Sequence, residues 1–367
     1  MKILHIINTL NTGGAERLLT NILPIMKEQG NEVHLLLLNK TSCDYEKIIS
    51  NYGISINSME LPLGRFDFRA IFRLKKYMQV YDVIHVHLFP SQYWAAIAHK
   101  VFRSKSVLVT TEHSTFNTRG KFIITSLIDR FIYGLYDGII CISEGTKDFM
   151  SKRTPKHVHV IVIENGIVIP KSDIPLDTFA YKEYICGKQK DNFMLLQVAR
   201  FSEQKNQDCL IRALKLLPEN IHAVFAGDGK RLDLCKKLSS DLGLSHRTHF
   251  IGNRNDIDKL WQITDIGVMS SHWEGFGLAA VEGMAYAKPV LGSNVPGLAE
   301  VIGNQQLLFT PNDEYELAKK ITALKENHIL YKKMADYCKI KSHEFDITNT
   351  VNRYIEFYHK LLTLKKI

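Results

Sequence analysis

The stretch Ser270-Ser271-His272-Trp273-Glu274-Gly275-Phe276-Gly277-Leu278-Ala279-Ala280-Val281-Glu282 decides how this chain folds. The short apolar run 266–270 that leads into it reads as a buried strand. Two glycines follow in a loop, and a helix is predicted from Gly277 or Leu278 onward. Strand, loop and helix in that order form one unit of a parallel sheet. Unpaired N–H groups at a helix start favour an anion such as a diphosphate, and Gly275 and Gly277 let a ligand approach the backbone. Glu274 precedes the helix and Glu282 lies about one turn inside it. Carboxylates at such places suit sugar or ribose hydroxyls. A glutamate at a helix start also simply favours the helix dipole, so the pair alone leaves both readings open.

Working outward, the same unit recurs along the chain. In the first half, apolar runs at 2–8, 32–38, 83–87, 107–111, 138–143 and 158–163 read as strands. In the second half they fall at 193–199, 222–226, 249–252, 266–270, 289–292 and 307–309. Continuous apolar strands separated by helical patterns predict parallel sheets covered on both faces. The fold class is therefore α/β, with two doubly wound Rossmann-like domains. The expected boundaries are 1–169 and 192–344, joined by a linker at 170–191. The amphipathic tail 345–367 is expected to form a helix that packs back towards the first domain. In open parallel sheets ligands bind beyond the carboxyl ends of the strands. The loops at 11–14, 87–90, 112–114, 143–145, 200–205, 227–229 and 270–277 are the places to look.

Composition sets the outer limits. With 367 residues, 45% hydrophobic and 23% charged, the chain suits two ordinary globular domains, with nothing to suggest disorder. Cys43, Cys141, Cys186, Cys209, Cys235 and Cys338 lie far apart, without a CxxC pair or a zinc-type spacing, and read as reduced thiols. The start, Met1 to Ile7, is too short for a signal-peptide core, and no apolar run reaches membrane-spanning length. A cytoplasmic protein, at most touching the inner face of a membrane, is expected. The net charge of +9 admits an anionic partner, but no nucleic-acid-binding motif accompanies it.

Individual residues carry both bland and chemical readings. Arg200 and Lys205, in a loop after a strand, could clamp a diphosphate and stabilise charge on a leaving group, or simply be solvated. Gly13-Gly14 offers close backbone approach or a plain turn. It lacks the GxGxxG pattern of a dinucleotide site, and there is no GxxxxGK[ST] phosphate loop. His85 and His87 share a strand face and suggest a metal, but no third ligand stands at a convincing spacing. Packing is expected for His85 and a cleft-edge position for His87. Ser143 either caps the next helix or lines the site. The basic, aromatic segment 65–76 is expected to be a helix whose apolar face packs on the sheet, with lipid contact as the alternative.

Taken together, Glu274, the Gly-Phe-Gly run and Glu282 resemble the E-x7-E donor-site motif of family 4 glycosyltransferases, which have the GT-B architecture. The resemblance spans essentially the whole chain. Gly13-Gly14 follows the first strand, and Asn165-Gly166 is similar to the family's interdomain crossover. Arg200 and Lys205 follow the first strand of the second domain, and Gly227-Asp228-Gly229 follows the next. One departure is Val168, where the crossover usually has aspartate.

The resemblance implies two domains facing a central cleft and a retaining, metal-independent hexosyltransferase. It would take a nucleotide-sugar substrate, UDP-linked by family frequency, and no cofactor. The acceptor would be a saccharide or lipid-linked saccharide, in bacterial cell-surface polysaccharide synthesis. On this reading Glu282 binds ribose, Glu274 holds sugar hydroxyls, and Gly277, Leu278, Phe276 and Gly227 contact the donor. Arg200 and Lys205 meet the diphosphate, His113 lines the sugar and acceptor side, and Gly13 and Gly14 close over the donor. Two alternatives are a sugar-nucleotide epimerase of similar architecture and a non-catalytic sugar-nucleotide-binding subunit.

Overall fold

The computed structural model describes residues 1–11, 13–40, 44–113, 123–170, 176–187 and 191–366. Thr12 and Ser114, in the loops at 11–14 and 112–114, and Cys43 lie outside the described residues, as do parts of the 170–191 stretch. The chain divides into two compact units, Met1–Val168 with Asp346–Ile367, and Ile169–Phe345.

The first unit is built on seven parallel strands: β1 (Lys2–Ile7), β2 (Glu32–Leu37), β3 (Ser55–Ser58), β4 (Val83–His87), β5 (Val107–Glu112), β6 (Gly138–Cys141) and β7 (His159–Val162). Their order is β3-β2-β1-β4-β5-β6-β7. The order reverses between β1 and β4, which leaves a crevice at their carboxyl ends. β4 and β5 are buried along their whole length, as strands covered on both faces must be. One covering helix is Ile347–Lys366, from the end of the chain. It buries Tyr354, Phe357, Tyr358 and Leu361 in the core beside β1, β4 and β5. Its start is tied to the crossover by Ile347 N–H donating to Ile167 O at 2.9 Å and Thr350 Oγ1 donating to Glu164 O at 3.0 Å. Val168, at the departure from the family pattern, is exposed.

The second unit has β8 (Phe193–Val198), β9 (Ile221–Ala226), β10 (Thr248–Gly252), β11 (Ile266–Met269), β12 (Val290–Ser293) and β13 (Leu308–Phe309). The order β10-β9-β8-β11-β12-β13 again reverses beside its first strand, here between β8 and β11. The helix Leu278–Ala285 sits close to β11 because Trp261, fully buried, fills the space between Gly267 and Gly283. A Cβ at Gly283 would stand 2.8 Å from the Trp261 ring.

Three local expectations change. β3 was missed, because an edge strand of sequence Ser-Ile-Asn-Ser has no apolar run to show. The stretch expected as a linker holds the helix Thr178–Cys186, capped by the Asp177 side chain and fixed to the second unit by the Lys182–Asp265 ion pair. The segment 65–76 is a chain of short turns rather than one helix, with only Ala70–Leu74 α-helical. Ala70 and Leu74 face the core, while Phe66, Phe68 and Phe72 are exposed.

Candidate functional site

In the second unit the switch point lies between β8 and β11, and the loops that leave these two strands carry Arg200 and Lys205 on one side and Glu274 on the other. The loops are laced together. His272 N–H donates to Gln204 O at 2.8 Å, and Gln204 Nε2 donates to Trp273 O at 3.0 Å. Ser270 Oγ donates to Asn206 O at 2.7 Å, and the buried Gln197 side chain donates to Lys205 O at 3.0 Å. This lacing brings Lys205 Nζ into an ion pair with Glu274 Oε2, which also accepts from Ser271 Oγ at 3.1 Å. Two residues 69 positions apart in the chain are thus one hydrogen bond apart.

Gly277 caps the helix Leu278–Ala285 with φ of 102°, a left-handed conformation that favours glycine. Its carbonyl accepts from Ala280 and Val281, and the N–H groups of Leu278 and Ala279 stand ahead of the first carbonyl the helix offers. Glu282 is one turn further on and only 8% exposed. The Phe276 ring is buried edge-on to Phe345, 5.4 Å between centroids, so the ring belongs to the core. Arg200 is exposed on the same loop as Lys205. Gly227 follows β9 with φ of 143°, and a Cβ there would stand 2.1 Å from Ala199 O. Glycine is needed because the β9 loop crosses directly under the Arg200 loop.

In the first unit the switch-point strands are β1 and β4. Gly13 caps the helix Gly14–Glu28 in extended conformation, with the Glu16 carboxylate folded beside it, and Gly14 is exposed. His113 lies just past β5 and is joined to a buried row of imidazoles. His87 Nδ1 is 3.3 Å from His113 Nε2, and His87 Nε2 is 3.0 Å from His5 Nδ1. Burial draws His113 down to about 4 and His5 to about 3, and holds His85 and His87 well below the ordinary histidine range. All four are neutral at pH 7.

His87 is therefore fully buried between two imidazoles, not at a cleft edge. The third histidine that spacing could not supply is His5, brought opposite His85 by the β1–β4 register. Nitrogen atoms of His5, His85 and His87 lie within 4.8 Å of one another. Both nitrogens of His85 are already taken, by Tyr358 OH at 2.5 Å and Thr111 Oγ1 at 2.7 Å, which favours a hydrogen-bonded row over a metal centre. Sequence reasoning missed His5, because its partner lies 82 residues away. Ser143 caps the helix Glu144–Ser151, accepting from Thr146 N–H at 3.2 Å.

Comparison with known proteins bears on the chain as a whole. The profile of Glycosyltransferase Family 4 matches residues 12–169, and that of Glycosyl transferases group 1 matches residues 184–341. A UDP-Gal:alpha-D-GlcNAc-diphosphoundecaprenol alpha-1,3-galactosyltransferase of Escherichia coli is 25% identical over 315 residues, 82% of this chain and 81% of that protein. The N-acetyl-alpha-D-glucosaminyl L-malate synthase of Bacillus anthracis is 23% identical, covering 96% of this chain and 95% of that one. Among solved structures, Anabaena HepE in complex with UDP and glucose superposes with a TM-score of 0.87 at 22% identity, covering 98% of this chain and all of that one.

Proposed function

Because the chain belongs to the glycosyltransferases, its two halves matching family 4 and group 1, we propose that it is a retaining, metal-independent enzyme that moves a sugar from a UDP-sugar to an acceptor hydroxyl. The observation that carries this reading is the Lys205–Glu274 pair at the second switch point, beside the start of the helix that bears Glu282. In the proposed reaction the acceptor oxygen bonds to the anomeric carbon on the face that the diphosphate leaves. The acceptor proton passes to the departing diphosphate oxygen. Lys205 and Arg200 offset the charge that grows there, and the first-turn N–H groups at Gly277 and Leu278 hold phosphate oxygens. Glu274 holds sugar hydroxyls and Glu282 the ribose, with Gly227 and the Phe276 backbone at the donor. In the first unit, Gly13, Gly14 and the neutral His113 are assigned to substrate contact.

UDP as carrier is supported by the UDP bound to HepE and by the UDP-Gal named for the Escherichia coli relative. That relative's diphosphoundecaprenol-linked acceptor supports a lipid-linked saccharide here, and with it a role in cell-surface polysaccharide synthesis. A thermal-shift screen of nucleotide sugars identifies the donor, since a ligand stabilises the fold with occupancy. Turnover of that donor in EDTA, with the anomeric configuration of the product read by NMR, tests the rest. Loss of turnover on chelation in protein that circular dichroism shows to be still folded, or an inverted product, overturns the mechanism.

Peripheral membrane contact is a second reading, favoured by one observation. Leu63, Phe66, Phe68 and Phe72 are exposed beside Arg65, Arg73, Lys75 and Lys76, next to an open groove lined by Met59 and Gln79. No helix among the described residues is long and apolar enough to cross a membrane. Co-sedimentation with anionic vesicles should fall on replacing Phe66, Phe68 and Phe72 by serine. A parent protein that ignores anionic vesicles defeats this reading.

A further inference from the structure

We propose that Cys186, His222 and His249 bind one zinc-class divalent ion at the amino end of the second sheet, the end opposite the donor loops. Cys186 is the last residue of the helix Thr178–Cys186, and His222 and His249 are the second residues of β9 and β10. The β9–β10 register sets His249 opposite Val224, two residues after His222, so both imidazoles leave the same face of the sheet. One ligand atom from each of the three residues lies within 4.8 Å of the others. His222 Nδ1 and His249 Nε2 are 2.9 Å apart and the rings are stacked.

A second observation also points to a ligand. His222 is 5% exposed, yet its Nε2 is a buried polar atom without a partner. A buried imidazole nitrogen left this way is a cost that a metal would remove. Two nitrogens and a sulfur suit zinc, which takes tetrahedral N/S sites, with water in the fourth place. Bonds of about 2.0–2.1 Å to nitrogen and about 2.3 Å to sulfur hold tetrahedral ligand atoms roughly 3.3–3.6 Å apart, so an ion would replace the 2.9 Å contact between His222 Nδ1 and His249 Nε2 and spread the two rings slightly.

The protonation chemistry fits. Burial lowers His222 to about 4 and lowers His249 too, so both are neutral ligands at pH 7. Burial pushes the Cys186 thiol up to about 12, so the ion would have to displace its proton. The sulfur–hydrogen bond breaks, a sulfur–metal bond forms, and one proton is released per ion. The charges that face the cluster are Arg247, His246 and Glu219 near His222, and Lys182 and Asp265 near Cys186. The role is structural: the ion would tie the helix Thr178–Cys186 to β9 and β10. It does not depend on the donor assignment.

The test uses the full chain, stripped with chelator and titrated with cobalt(II), whose thiolate complexes absorb in the near ultraviolet. One equivalent should give a thiolate-to-cobalt band together with the visible bands of a tetrahedral ion, and zinc should bleach both. Zinc at a hundredfold excess over its Kd should raise Tm by roughly 5–10 °C. Cys186→Ser should abolish the near-ultraviolet band, and His249→Gln should weaken binding at least tenfold. His249 is partly exposed, so that variant carries the test if the cysteine variant folds poorly. The proposal is overturned if no near-ultraviolet band forms, if the band survives Cys186→Ser, or if His85→Gln is the change that removes cobalt binding.

Discussion

The carboxyl ends of the two sheets solve the switch-point problem with opposite materials. Beyond β8 and β11 stand an ion pair, an exposed arginine and a glycine-capped helix start, partly open to solvent. At β1 and β4 stand neutral imidazoles: His5 and His85 lie within the strands and His87 ends β4, all three buried, and His5, His87 and His113 are hydrogen-bonded in series. Fixed charge suits a partner whose own charge changes during reaction, as a leaving diphosphate does. A neutral, hydrogen-bonded wall suits hydroxyls, which need direction rather than counter-charge. The contrast predicts that substitutions among the charged residues of the second unit act on donor chemistry, while the imidazole row makes the first unit lose stability as pH falls.

The largest expected effect is Lys205→Ala. An interaction that strengthens as the glycosidic bond breaks affects turnover more than donor binding. Turnover should fall on the order of a hundredfold or more. Losing Lys205 also leaves Glu274 without its cation, so Glu274→Gln in the same background should add less than it does alone. Saturation kinetics on folded variants provide the check. A turnover within a few-fold of the parent would move Lys205 from leaving-group stabiliser to loop support.

Glu282→Ala comes next. Its helix position and its assignment to ribose predict a loss of roughly 1.5–3 kcal/mol in nucleotide affinity. Calorimetry with UDP reads this directly, with Tm measured alongside because the side chain is nearly buried. Unchanged affinity would remove Glu282 from the donor site and weaken the contrast between the two sheets.

The two regions also differ in how far they could be read from sequence. In the second unit the informative residues are close in the chain: Glu274, Gly277 and Glu282 fall within one βα unit, and Arg200 and Lys205 within one loop. Linear spacing fixes which end of the sheet they reach, so the helix start at Leu278 and the loops around it were legible. The Lys205–Glu274 contact was not, because it depends on β8 and β11 being neighbours across 69 residues. In the first unit His5, His85 and His87 come together only through the strand order, and His5 sits in an apolar run that reads as plain core. Cys186, His222 and His249 escaped for the same reason. The place of the Phe276 ring was not legible either, because its partner Phe345 lies 69 residues further along the chain.

The smallest of these effects is also the most direct probe of the imidazole row. Burial holds His5 near 3 in the folded chain, below the ordinary 6.5. Between those two values the unfolded chain binds a proton that the folded chain does not, so stability falls as pH falls. The loss begins near pH 6.5 and ends only near pH 3. For His5 alone, going from pH 7 to pH 5 should cost about 2 kcal/mol. His85, His87 and His113 add to it in the same direction, since each is drawn down by burial. His5→Phe removes one titrating group while keeping an aromatic ring in the space. The variant should be less stable than the parent at pH 7, because His87 Nε2 loses its partner. Its stability should nevertheless depend less on pH, losing about 2 kcal/mol less than the parent between pH 7 and pH 5. Urea unfolding of both proteins at the two pH values gives the four numbers required. Equal pH dependence in parent and variant would mean that His5 takes up a proton in the folded chain. The row would then be charged, and the first sheet would no longer be the neutral counterpart of the second.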